Sequence, residues 1–371
     1  MLNKSNAEDL KMENKQVQKA GDGSQQFQMV NPTFNIGITE ERAREIFTEM
    51  NAIARQNYTQ DAYELAIKRV GMFEELLMNK VQQIDGMLEA FRDPSFQFLL
   101  VEAQKRAAAS DRDADLEMLT ELLVHRVEKK DDRKIKTGIS RAVEIVDQID
   151  SDALCGLTLA FVINKYIPTL GDTMQGLEKF SELFEKLMYT QLPYGSEWLD
   201  HLDILGTVRI SYLTKRYDIK EDLPNKLKGY ACLGIKKTSE KYKESVELLR
   251  TVNISEEILR PNPLLEGYVR LPVCNKSAIN DIILVDKFFS RKTTFEERKV
   301  LNTIWDMYEK DAVLQKKVNI EFINKWDSFV PLKRARTWWE SVPFDFMITK
   351  VGAVLAHTNA KRIESLLPDI L

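Results

Sequence analysis

One histidine has acids at helical spacing. Glu121 lies four residues before His125 and Glu128 three after it, so on an α-helix the three side chains share a face and offer one imidazole and two carboxylates to a divalent cation. Di-iron bundles repeat a Glu-x-x-His pair on two helices. The other histidines, His201 and His357, have no glutamate three residues upstream. A solvated charged face explains the trio without a metal, and no metal or cofactor is expected. Asp200 and Asp203 flank His201, at offsets that diverge on a helix and build no triad. No serine sits in a nucleophile elbow, no cysteine has a marked base partner, and the phosphate-loop patterns GxxxxGK[ST] and GxGxxG do not occur. Gly171-Asp172-Thr173 reads as a loop and helix cap. No catalytic residue is assigned, and the balance leans away from an enzyme.

A second constellation is basic and aromatic: Lys333, Arg334, Arg336, Trp338 and Trp339. Bases stack on tryptophan and phosphates pair with arginine, so this is the one candidate nucleic-acid contact. The competing reading is an amphipathic helix with its tryptophans inward and its arginines in water. A formal net charge of −4 favours the second, because it supplies no general attraction to a polyanion. Cys155, Cys232 and Cys274 are odd in number and far apart, and read as buried, reduced thiols of a cytoplasmic protein.

The third feature points to assembly rather than catalysis. Residues 1–15 are polar and predict a mobile tail, followed over 16–38 by a short β element and connector. Gln-Val-Gln-Lys-Ala and Gln-Gln-Phe-Gln-Met-Val flank Gly21-Asp22-Gly23-Ser24, a hairpin signal because Asp and Gly tolerate the positive φ of tight turns. Such a polar hairpin is marginal alone. It either packs on its own helical body or pairs with copies of itself through Gln ladders. Val17, Gly21, Asp22, Gly23, Ser24, Gln26, Phe27 and Gln28 are therefore the candidate oligomerisation residues.

The rest of the chain must be helical. Apolar residues make up 44% of it and charged residues 30%, enough to bury a large core. Thr39 followed by Glu40 and Glu41 starts a helix, and a break near Asn57 and Thr59 divides the stretch up to Arg92. Ala66, Val70, Phe73, Leu77, Ile84, Met87 and Phe91 form an apolar seam, taken to pack within the chain. Asp93-Pro94 starts the next helix, Asp113 and Ser151 are read as later caps, and Ala153–Ile163 is a central core helix, much shorter than the roughly 20 residues of a membrane span. Prolines at 224, 261, 263 and 272 thicken after a charged stretch, so a soft boundary divides a helical domain at 39–220 from one at 221–371. Tyr268 to Cys274 is a short strand that Pro272 would confine to an edge. The fold class is all-α: a multi-helix bundle with a short N-terminal hairpin-like element.

The Gln-rich Gly-Asp-Gly-Ser element, the helix start Thr-Glu-Glu-Arg-Ala-Arg-Glu-Ile and the run FRDPSFQFLLVEAQKRA from Phe91 together resemble an uncharacterised bacterial protein family over residues 16 to about 166. The resemblance transfers no chemistry; similar elements border bacterial proteins that self-associate or act in conflict systems. The expected function is a non-enzymatic, self-assembling interaction module of bacterial defence or stress, a homo-oligomer presenting its helices to a protein partner. The alternatives are a nucleic-acid-binding helical protein and a metal-dependent hydrolase around Glu121, His125 and Glu128.

Overall fold

The computed structural model describes residues 38–54, 59–129, 132–214, 216–285 and 290–370. The proposed hairpin and its oligomerisation residues lie outside this set.

Helix starts follow the sequence closely, with two shifts. Thr39 precedes α1 (Glu40–Ala54) and its hydroxyl accepts from the Arg42 N–H. The separate helix α2 (Gln60–Val81) follows, with Thr59 at its N-cap position. The seam then leaves that helix: the chain turns at Gly86, whose φ of 80° suits glycine, into α3 (Met87–Ala90). Asp93 caps α4 (Pro94–Ala109), with Pro94 in the first turn. Asp113 is not a cap but the first residue of α5 (Asp113–Glu128). After α6 (Arg133–Ile145), the cap of α7 (Ser151–Lys165) is Asp150 rather than Ser151; its carboxylate accepts from the N–H groups of Asp152 and Ala153. An ionised acceptor suits the positive end of a helix.

Every residue of α7 from Ala153 to Ile163 is buried. Helices α8 (Thr173–Leu187) and α9 (Glu197–Ile204) pack against it, and β1 (Val208–Ser211) and α10 (Ile219–Lys226) follow along the chain. The chain next builds a smaller module from β2 (Ile235–Lys236), α11 (Glu240–Thr251), β3 (Arg260–Pro261), β4 (Tyr268–Arg270), β5 (Ile283–Val285), β6 (Ser290–Lys292) and α12 (Phe295–Asp306). It returns through α13 (Ala312–Asp327), α14 (Val330–Ser341), β7 (Asp345–Ile348) and α15 (Lys350–Ile363). The seam residues pack α2 and α3 against α4 and α5, inside the chain. With fifteen α-helices and only short antiparallel strands among the described residues, the protein is mainly α-helical.

The boundary drawn at 220 does not separate two cores. Helix α15 lies against α5, α6 and α7, so the end of the chain completes the core that its first half begins, and Ile38–Leu371 is one compact unit. The second core, from Cys232 to Tyr308, belongs to the inserted module. Its tie to the body is Arg270 of β4, fully buried, which donates to the carbonyls of Gly171 (2.8 Å), Leu271 and Val273 and to the Thr173 hydroxyl (2.6 Å). β4 is the central strand of the order β2-β4-β3, not an edge; it ends before Pro272, whose missing N–H therefore costs the sheet nothing.

Candidate functional site

The acid–histidine trio is not assembled. The imidazole of His125 is buried against α15, with Nδ1 3.1 Å from the Thr358 hydroxyl and the ring stacked on His357 at 5.3 Å. Glu121 instead pairs with Lys80 at 2.8 Å, and Glu128 faces solvent. Among the described residues no three His, Cys, Asp or Glu side chains are grouped to hold a metal ion.

What the histidines build is a seam beneath the C-terminal segment. His357 Nδ1 lies 2.9 Å from the Tyr166 hydroxyl and Nε2 lies 3.3 Å from Asp369, an electrostatic contact off the line of a hydrogen bond. Lys129 holds the other Asp369 oxygen at 2.7 Å. The carboxylate favours the tautomer with a proton on Nε2, which leaves Nδ1 as an acceptor for the Tyr166 hydroxyl, whose one proton the Pro368 carbonyl, 3.2 Å away, can also take. Burial pushes His125 down to about 3, helped by its histidine neighbour. It pushes His357 down to about 4 against the opposing pull of Asp369. Both rings are neutral at pH 7, closed off from solvent, and serve the fold. His201 is equally structural, its Nε2 accepting the Asp150 N–H at 3.2 Å.

The basic aromatic cluster follows the amphipathic reading in its inward tryptophans and departs from it at Arg336. Trp338 and Trp339 are buried, and the Trp338 indole N–H donates to the Pro193 carbonyl. Arg336 is buried as well, clamped by Asp327 at 2.7 Å and Glu340 at 2.8 Å. Only Lys333 and Arg334 face water. The rings that would stack on bases and the guanidinium that would meet phosphate are both occupied. All three cysteines are buried, and desolvation raises the thiols of Cys155 and Cys232 to about 11, outside the nucleophilic range.

The exposed feature that sequence reasoning missed is the two-stranded ribbon of β5 and β6. Its register pairs Ile283 with Lys292, Leu284 with Arg291 and Val285 with Ser290. Ile283 is 56% exposed and Val285 80%, with Phe295 at 71% just beyond the ribbon's foot. A cleft of about 640 Å³ runs beside it, lined by Ile254, Ile258 and Arg260 on one side and by the consecutive residues Ile282 to Val285 on the other. Successive strand residues point to opposite faces, yet Ile283, Leu284 and Val285 all line the cleft, together with Arg291 from the paired strand β6. Among the described residues β5 pairs with β6 alone, so its other edge is unpaired. Arg291 grips Glu297 with two bonds of 2.8 and 2.6 Å, and Glu297 also closes a capping box with Thr294 at the start of α12. That grip holds the Glu297 carboxyl down at about 2 and anchors the ribbon's return strand. The run Ile-Ile-Leu-Val before a basic segment was the available signal, but such a run ordinarily marks a buried strand.

No curated protein and no solved structure matches the chain. A protein-family model does, over residues 37–368. The matched region takes in residues 37–166 of the resemblance noted above and runs on through the C-terminal helices, while the Gln-rich element falls outside it. The chain belongs to this uncharacterised family.

Proposed function

We propose that the protein is a non-enzymatic interaction module that assembles with copies of itself. The observation that supports this most is the edge of β5 left unpaired among the described residues, with its exposed apolar side chains. A two-fold axis through Leu284 would place each Ile283 opposite the Val285 of a second copy, so the two most exposed side chains of the strand would cover each other in an isologous contact. Unpaired strand edges with apolar side chains are surfaces that proteins otherwise blunt with charge or cover. The residues proposed from sequence, 16 to 30, remain a second assembling element, and the helical body is what the assembly presents to a protein partner.

Cysteine cross-linking tests the arrangement. Leu284→Cys should form a disulfide between two copies, because the axis passes through that position. The native thiols are buried and do not compete. A Leu284→Cys protein that stays monomeric on non-reducing gels under mild oxidation would refute this pairing.

A further inference from the structure

A second cleft, of about 460 Å³, lies where the inserted module meets the helical body, between α10, α12 and α13. Small-molecule sites concentrate at such junctions, and the volume lies within the range that holds a ligand of nucleotide size. Its charges are sorted in an informative way. The acids on its wall are already neutralised: Asp306 is bridged by Lys276 at 2.6 Å and Glu309 by Lys241 at 3.3 Å. The lysines on its wall are not. Lys228 and Lys310 are exposed and have no carboxylate partner among the described residues. The uncompensated charge facing the cleft is positive, although the chain as a whole is acidic.

The remaining lining is aromatic and carboxamide. Trp305 lies against Tyr308 with ring centres 5.0 Å apart, and its indole N–H has no acceptor among the described residues. Asn225, Gln315 and Asn319 supply amide groups. Gln315 is locked by bonds to the Ala231 carbonyl (2.6 Å) and to Asn319 Oδ1 (2.8 Å). Asn225 is fixed through its amide nitrogen to the Glu221 carbonyl. The oxygen of each of these two side chains and the amide nitrogen of Asn319 have no partner among the described residues, so donors and acceptors stand side by side in held positions. Carboxamides in that state suit the mixed donor–acceptor edge of a nucleobase, the rim of the largely buried Trp305 ring gives the base an apolar wall, and two free ammonium groups suit phosphate.

We propose that this cleft binds a nucleotide, with Lys228 and Lys310 on the phosphates, Trp305 beside the base and Asn225, Gln315 and Asn319 along its edge. The site is independent of the ribbon and of self-assembly. Titration calorimetry on the full chain with adenosine, guanosine, cytidine and uridine diphosphates tests it, with inorganic phosphate as the comparison ligand. At least one diphosphate should bind and quench tryptophan fluorescence, more tightly than phosphate. Lys228→Glu combined with Lys310→Glu should weaken it by at least about tenfold, the scale of a lost charge-assisted contact. Both lysines are exposed, so the thermal melt should be retained. The proposal is overturned if none of the diphosphates binds, if the double substitution leaves affinity unchanged, or if phosphate alone binds as tightly as any of them.

Discussion

Acid should weaken this fold through its buried histidines before its carboxylates titrate. His125 and His357 are held near 3 and 4, against an ordinary value of 6.5. Above pH 6.5 both are neutral whether the chain is folded or not, and their contribution to stability is whole. As pH falls below 6.5 the unfolded chain takes up protons that the folded one refuses, so stability is lost, and the loss stops only when the folded pKa is reached. Each pKa unit corresponds to about 1.4 kcal/mol, so each ring costs about 2 kcal/mol by about pH 5, and the two together about 4. That is a large fraction of the 5–15 or so kcal/mol typical of a folded protein. Urea unfolding at about pH 7.5 and about pH 5 should therefore show a steep loss in the native protein. In His125→Gln/His357→Gln the starting stability is lower, but the loss between the two pH values should shrink by about 4 kcal/mol, because the histidine protons are gone from both states. An equal loss in both proteins would refute the argument that burial keeps these rings neutral.

Three further outcomes follow from packing. Arg270→Met removes the donors that Gly171, Leu271, Val273 and Thr173 share and should cost about 3–5 kcal/mol in thermal or urea unfolding; a change below about 1 kcal/mol would mean that water replaces the guanidinium. Gly352→Ala would place a Cβ 2.0 Å from the Thr207 carbonyl oxygen, a backbone atom that cannot swing away, so α15 must move off β1 and the melting temperature should fall clearly. An alanine variant that melts like the native protein would contradict that contact. Ile283→Lys with Val285→Lys touches only exposed positions and should change monomer stability by less than about 0.5 kcal/mol, as read by unfolding at low protein concentration.

Much of the fold was legible because it is local. The burial of Ala153–Ile163 follows from an apolar run interrupted only by Thr158, and the seam from Ala66 to Phe91 follows from helical spacing. The misplaced caps, Asp113 and Ser151, are one-residue shifts: Asp150 caps in place of its neighbour Ser151, while the N-cap position before Asp113 is held by Arg112, which makes no capping bond. The long-range structure was not legible. His125 and Thr358 are 233 positions apart, and Arg270 and Gly171 are 99 apart; spacing cannot announce either contact. The same distance hid the shared core, since the prolines near 261 and 272 mark the inserted module and not the start of a second domain. Arg336, read from sequence as meeting phosphate or water, is buried because its two acids, Asp327 and Glu340, surround it once α13 and α14 have folded against each other. The ribbon was missed for the opposite reason: Ile282–Val285 has the composition of a buried strand while Ile283 and Val285 stand in solvent.

The central claim is self-assembly, and the solution mass tests it most directly. Light scattering on the full-length chain should give a defined oligomer, and the same measurement on Ile283→Lys/Val285→Lys should give a smaller species, because lysines placed opposite each other across the two-fold axis repel. A monomer for the native chain at every concentration, or an oligomer of unchanged mass in the variant, would contradict it.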